Sequence, residues 1–155
     1  MQLSWRRIII HHSATPDTTL LNVQAIRRYH IEVKGWPRIG YHFLLDNVNG
    51  QIEVIQGCPL HLTGTHTKDK NTGSLGICVI GNYELKEPGP ERWAKLVELC
   101  VSLVKVFEIR LLDIYGHRDF APTACPGRYI NLDKLRDDIA REIIGRVYNK
   151  DLGNA

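Results

Sequence analysis

Apolar residues along this chain recur with two different periods, and the switches between them mark out its elements. Three consecutive isoleucines, Ile8 to Ile10, form a short apolar run that ends at His11 and His12. With the turn-forming segment Ser13–Asp17 after it, the run reads as a buried strand from Arg6 to His12. Val23, Ile26, His30 and Val33 follow helical spacing, so a helix is predicted from Asn22, a capping residue, to about Val33, where Gly35 and Pro37 stop it. Gly40–Leu45 reads as a strand, and Asn49–Gly50 as the tight turn of a hairpin whose return strand is Gln51–Gln56. Ser74–Gly81 is apolar without interruption, as expected of a central strand covered on both faces.

The second half is dominated by helical periodicity. Pro90 opens a helix to about Phe107, with Trp93, Leu96, Val97, Cys100, Leu103, Val104 and Phe107 turned inward. Glu91, Arg92, Lys95, Glu98, Ser102 and Lys105 are assigned to its outer face. Leu111–Tyr115 is a short strand, and a last helix runs from Asn131 to about Tyr148 on Leu132, Leu135, Ile139 and Ile143. Strands alternating with helices, with one hairpin among them, predict a single α/β domain over residues 1–148. Its central mixed β-sheet is flanked by about three α-helices. Residues 149–155 read as a flexible tail.

Composition narrows the class without choosing a function. In 155 residues, 43% are hydrophobic and 24% charged, the balance of a globular domain. The net charge of +3 is too small to imply nucleic acid, though it favours an anionic partner such as a wall polymer. No apolar run reaches the length of a signal peptide or a membrane span, so synthesis in the cytoplasm without a signal is expected, with no membrane or nucleic-acid partner. Cys58, Cys78, Cys100 and Cys125 show no closely spaced disulfide framework. Cys78 and Cys100 read as small core residues, and Cys58 is unassigned.

The chemistry-bearing stretch is YGHRDFAPTACPG, Tyr115–Gly127, where His117 and Cys125 stand eight positions apart on an irregular loop. Imidazole nitrogen with thiolate sulfur suits zinc. A third ligand is available in His11 or His12, of which only one can face a given site because strand neighbours point to opposite sides. His30 reads as a packed, hydrogen-bonded histidine. Asp119 is a turn-stabilising residue or a partner to a ligand histidine. The long loop at Gly57–Gly73 carries His61 and His66 and is a candidate for substrate contact. Phosphate-cradling glycine loops, HExxH and GxSxG are absent from the sequence.

The segments IIIHHSAT, AIRRYH, GYHFLL, GTHT, SLGICVIGNY and GHRDFAPTACPG occur in order between Ile8 and Gly127. On them the chain resembles the zinc-dependent N-acetylmuramoyl-L-alanine amidases, which include bacteriophage endolysins and peptidoglycan recognition proteins. The resemblance implies His11, His117 and Cys125 as ligands of Zn2+, with His12 turned away. It implies Tyr41 and Thr123 as catalytic residues, and His42 and His66 near the substrate groove. The implied activity is cleavage of the amide bond between N-acetylmuramic acid and L-alanine of peptidoglycan or a muropeptide, with water on the zinc as nucleophile. The alternative is a non-catalytic peptidoglycan-binding module on the same fold, although such relatives typically lose the ligand cysteine that is kept here. A structural zinc site would need a fourth protein ligand, for which Cys58 is the candidate. Gly57–Cys58–Pro59 matches neither form of the dipeptide by which recognition proteins distinguish diaminopimelate from lysine. The protein is expected to act as a monomer.

Overall fold

Five strands form one mixed sheet in the computed structural model, which describes residues 4–16 and 22–153, without the side chains of residues 151 and 152. In chain order they are β1 (Arg7–His12), β2 (Phe43–Val48), β3 (Gln51–Gln56), β4 (Ser74–Val79) and β5 (Ile114–Gly116). Across the sheet the order is β3-β2-β4-β1-β5. Only the β2–β3 hairpin is antiparallel, while β1 runs parallel to both β4 and β5. The helices are α1 (Asn22–Arg28), α2 (Pro90–Phe107) and α3 (Leu132–Leu152). The expected α/β architecture, a mixed sheet flanked by three helices, is thus present.

Strand alternation divides the core between the two faces of the sheet. Ile8 and Ile10 of β1 and Leu75, Ile77 and Val79 of β4 pack with Leu96, Val97, Cys100 and Val101 of α2 and Leu135 and Ile139 of α3. The opposite face carries Leu44, Cys78 and Ile80, against which Val23 and Ile26 of α1 and Tyr41 pack. Ile8, Ile9 and Ile10 are fully buried, and each is worth roughly 1.5–3 kcal/mol of burial. That is why a run of only three apolar residues can form an interior strand of the sheet, between β4 and β5.

Several elements differ from the pattern-based expectation. The first helix is α-helical only to Arg28 and continues as a π-helical turn, Tyr29–Val33, which the Lys34 N–H closes on the Tyr29 carbonyl at 3.0 Å. Asn22 is the first residue of α1, and its side-chain amide donates to the Asp46 carboxylate at 2.6 Å. Leu111–Asp113 forms a 3-10 turn, leaving β5 only three residues. Arg92, assigned to the outer face of α2, is buried and donates from its guanidinium to the Tyr83 hydroxyl at 3.1 Å. A long aliphatic stem can lie along apolar surface when a buried acceptor meets its head. α3 runs on to Leu152, beyond the expected Tyr148, and Asp17 of the predicted turn lies outside the described residues. Among the described residues no helix is long and apolar enough to cross a membrane.

Candidate active site

The register of β1 on β5 decides which histidines meet. Ile10 pairs with Gly116, so the next residues, His11 and His117, emerge side by side at the C-terminal ends of two parallel strands. Their ring centres are 4.7 Å apart. His11 lies on the sheet face that carries Cys78, its partner across β4, and α1. His12 points to the other face, where its Nδ1 accepts the Tyr83 N–H at 3.2 Å. Of the two candidates at the end of β1, only His11 turns its side chain toward His117 and Cys125.

Cys125 is brought back to this point by a braced loop. His117 opens a 3-10 turn, His117–Asp119, in which the Asp119 carboxylate accepts the Gly116 N–H at 2.8 Å. Asp119 is therefore a turn-holding residue. The Arg118 N–H donates to the Cys125 carbonyl at 2.8 Å, and its guanidinium donates to the carbonyls of Gly127 and Ile130 at 2.8 and 2.9 Å. Gly127 has φ +98°, and a Cβ there would lie 2.3 Å from the Tyr83 carbonyl carbon, so only glycine lets the loop seat so closely.

The sulfur of Cys125 arrives 3.8 Å from His11 Nδ1, near the roughly 3.5 Å that a nitrogen and a sulfur ligand of tetrahedral zinc keep between them. It also accepts the His12 N–H at 3.4 Å. The donor atoms of His11, His117 and Cys125 all lie within 4.8 Å of one another.

Electrostatics prepare these groups unequally. Burial, reinforced by His66, His117 and His12, holds the His11 pKa well below the ordinary histidine value, and burial lowers that of His117 as well. Both imidazoles are therefore neutral and can offer a lone pair. Burial pushes the Cys125 thiol up to about 11, against the opposing pull of the His12 N–H and Arg118. A divalent cation would reverse that shift, because a coordinated thiol gives up its proton. Two neutral nitrogens and one sulfur suit zinc, and three protein ligands leave a fourth position open. Cys58, the candidate fourth ligand, is buried, and its thiol is directed at the carbonyls of Pro59, Leu62 and Thr63.

Tyr41 stands two residues before β2 and is held there by the Cys58 N–H, which donates to its carbonyl at 2.7 Å. Its ring centre is 5.1 Å from that of His11. Burial, followed by the Cys78 and Cys125 thiols, raises the phenol pKa well above its usual value, so the hydroxyl stays a donor. Thr123 is exposed on the cysteine loop, and its oxygen accepts the Cys125 N–H at 3.2 Å.

The two histidines that the resemblance puts near a groove are both buried. His42 is fully buried, its Nδ1 accepting the Gly76 N–H and its Nε2–H donating to the Leu62 carbonyl, both at 3.1 Å. His66 is buried against His11, its Nδ1 3.0 Å from His11 Nε2. The Thr67 hydroxyl sits 3.1 Å from His66 Nδ1 and 3.3 Å from His11 Nε2. His30, as expected of a packed residue, accepts the Gly40 N–H at its Nδ1, 3.1 Å away. Arg118 and Thr67 were not legible as site residues. Arg118 signals itself only by its place between two ligands, and Thr67 only by following His66.

Residues 1–128 match the family described as N-acetylmuramoyl-L-alanine amidase. The chain belongs to that amidase family. The endolysin of Klebsiella phage KP32 is 34% identical over 125 residues, covering 77% of this chain and 79% of the relative. Peptidoglycan-recognition protein SC1a of Drosophila melanogaster is 32% identical over 128 residues, covering 79% of this chain and 68% of the relative. Among solved structures, the N-acetylmuramoyl-L-alanine amidase LysC from Clostridium intestinale superposes with a TM-score of 0.77 at 26% identity, covering 89% of this chain and 87% of that one. The stretch matched by the amidase family holds all five strands and the cluster of His11, His117 and Cys125, and α3 lies beyond it.

Proposed function

We propose that this amidase-family chain is a zinc-dependent hydrolase of peptidoglycan or its muropeptide fragments, cutting the amide bond between N-acetylmuramic acid and L-alanine. The observation that carries the reading is the convergence of His11, His117 and Cys125 beside a protonated Tyr41. When bound, zinc polarises a carbonyl and lowers the pKa of a water toward about 7.

The protein's own groups supply the remaining functions. His11 and His117 present neutral nitrogens, and Cys125 presents a sulfur whose thiolate form, once a cation takes the place of the proton, the His12 N–H would stabilise. The Tyr41 hydroxyl donates a hydrogen bond to the oxygen on which charge develops during attack on the amide, a contribution of about 10²–10³ in rate for one such donor. Thr123 adds a second donor, since its oxygen already accepts from Cys125 and its proton is left for the substrate. Proton delivery to the leaving amine falls in this reading to Tyr41 or a protonated neighbour. Asp119, the carboxylate closest in sequence to the ligands, is occupied by the Gly116 N–H. Against the alternative of a binding module without hydrolysis, the reading is supported by the retention of Cys125 beside His11 and His117, with Tyr41 next to them.

Zinc-reconstituted protein incubated with muropeptides and followed by mass spectrometry is expected to release stem peptides that begin with L-alanine. Tyr41→Phe should slow the release by about 10²–10³. Muropeptides that stay intact after reconstitution would sink the proposal.

A further inference from the structure

His66 is the buried polar side chain nearest the ligands that the proposed reaction leaves unused. It comes from the loop between β3 and β4 and meets the His11 ring edge-on, with ring centres 5.0 Å apart. A Cβ added at Gly76 of β4 would fall 2.6 Å from its ring, so that strand position has to lack a side chain for the imidazole to fit. The Asn71 side-chain oxygen accepts the N–H groups of both His66 and Thr67, at 2.9 and 2.8 Å, and clamps the backbone that carries the ring. A ring held on both sides in this way is built to stay in place.

Its two nitrogens have partners that fix where the protons are. His66 Nε2 lies 3.3 Å from the Ser74 carbonyl oxygen, which can only accept. The proton of neutral His66 is therefore on Nε2, and Nδ1 carries the lone pair. That lone pair faces His11 Nε2 at 3.0 Å and the Thr67 hydroxyl at 3.1 Å; because two bare nitrogens repel at 3.0 Å, His11 Nε2 carries a proton, with Thr67 able to share in the contact. The opposite arrangement would set a bare Nε2 against a bare carbonyl. With the His11 proton on Nε2, the His11 lone pair is on Nδ1, the atom facing the Cys125 sulfur. A backbone carbonyl thus dictates, through two imidazoles, which atom of His11 meets a metal.

We propose that His66 is a positioning residue for the metal centre: its Nδ1 accepts the His11 Nε2–H and so holds both the tautomer and the ring orientation that aim His11 Nδ1 at the ion. The inference rests on the metal-centre reading above. It replaces contact with substrate as the role of His66, because both ring nitrogens are already engaged inside the protein. Partners of this kind raise the basicity of a ligand imidazole, and losing one typically weakens metal binding by about 10–100-fold.

The test compares two substitutions of equal shape, His66→Leu and His66→Asn, of which only the second keeps an acceptor near the place of Nδ1. Zinc affinity is measured by competition with a chromophoric chelator on metal-free protein, so the readout is independent of amidase activity. His66→Leu should lose about 10–100-fold in affinity, and His66→Asn should recover most of that loss. Equal affinities for the two variants, whether intact or reduced, would overturn the inference. Should His66→Leu not fold, long-range nitrogen-15 spectra of the zinc-loaded wild type decide the matter directly. Protons on Nε2 of both His11 and His66 support it, and a proton on His11 Nδ1 overturns it. Wild-type protein that holds no zinc at all defeats the metal-centre reading and this inference together. Zinc-holding wild type with indifferent variants defeats the inference alone.

Discussion

Two cysteines in this chain are buried in different senses. Cys100 is enclosed by the apolar core between α2 and the sheet, where burial pushes its thiol up to about 12. Cys125 is half-buried and faces two imidazoles and a backbone N–H. Cys125→Ser is therefore expected to weaken zinc binding by more than the ~10–100-fold typical of losing an outer-shell partner, while Cys100→Ser leaves it unchanged. Isothermal titration of metal-free protein checks both, and equal losses would mean that Cys100 is not simply a core residue. At this scale the sequence went a long way. His117 and Cys125 were legible because loop residues of those types eight positions apart have few other uses. Choosing His11 over His12 required the resemblance, and its physical ground appears only in the β1–β5 register. His66 was legible as a residue of interest but not in its role, because its decisive partner, the Ser74 carbonyl, belongs to the backbone and leaves no mark on sequence.

Elements whose signal is local came out closest to expectation. The Asn49–Gly50 turn, with φ values of 53° and 84°, closes β2 on β3, and Pro90 opens α2 where a proline is tolerated in a first turn. Elements shaped by distant partners did not. The π-helical turn at Tyr29–Val33 places His30 under the Gly40 N–H, a tertiary contact invisible to periodicity. β5 is shortened because Asp113 is drawn into a turn by its N–H bond to the Arg110 carbonyl, at 2.9 Å. One terminus also shows local strain. α2 ends on Glu108 in the left-handed conformation, φ 54°, where a side chain is disfavoured by roughly 1–2 kcal/mol. Glu108→Gly relieves that conformation and is expected to raise stability by up to about 1 kcal/mol, the greater backbone entropy of glycine in the unfolded chain offsetting the rest. Thermal unfolding of the exposed-site variant checks it, and a lower midpoint would be the contrary result.

For the molecule as a whole, buried neutral histidines make stability depend on pH. Burial lowers the pKa of His42, partly opposed by its bond to the Leu62 carbonyl, and burial followed by Lys34 lowers that of His30. With folded values below the unfolded value of 6.5, the unfolded chain takes up protons first as pH falls. Their contribution is intact above about pH 6.5 and is lost progressively below it. Urea midpoints measured on metal-free protein at pH 7.5, 6 and 5 should decline in that order, and a flat series would show that these rings are not held neutral. The sheet order has a consequence in time. β1 precedes β4 and β5 in the chain, yet it sits between them. During synthesis His11 waits until the last strand and the cysteine loop have been made, because nothing earlier can complete its surroundings. The proposed activity should therefore appear only after translation has passed Cys125 and β1 is flanked by both β4 and β5.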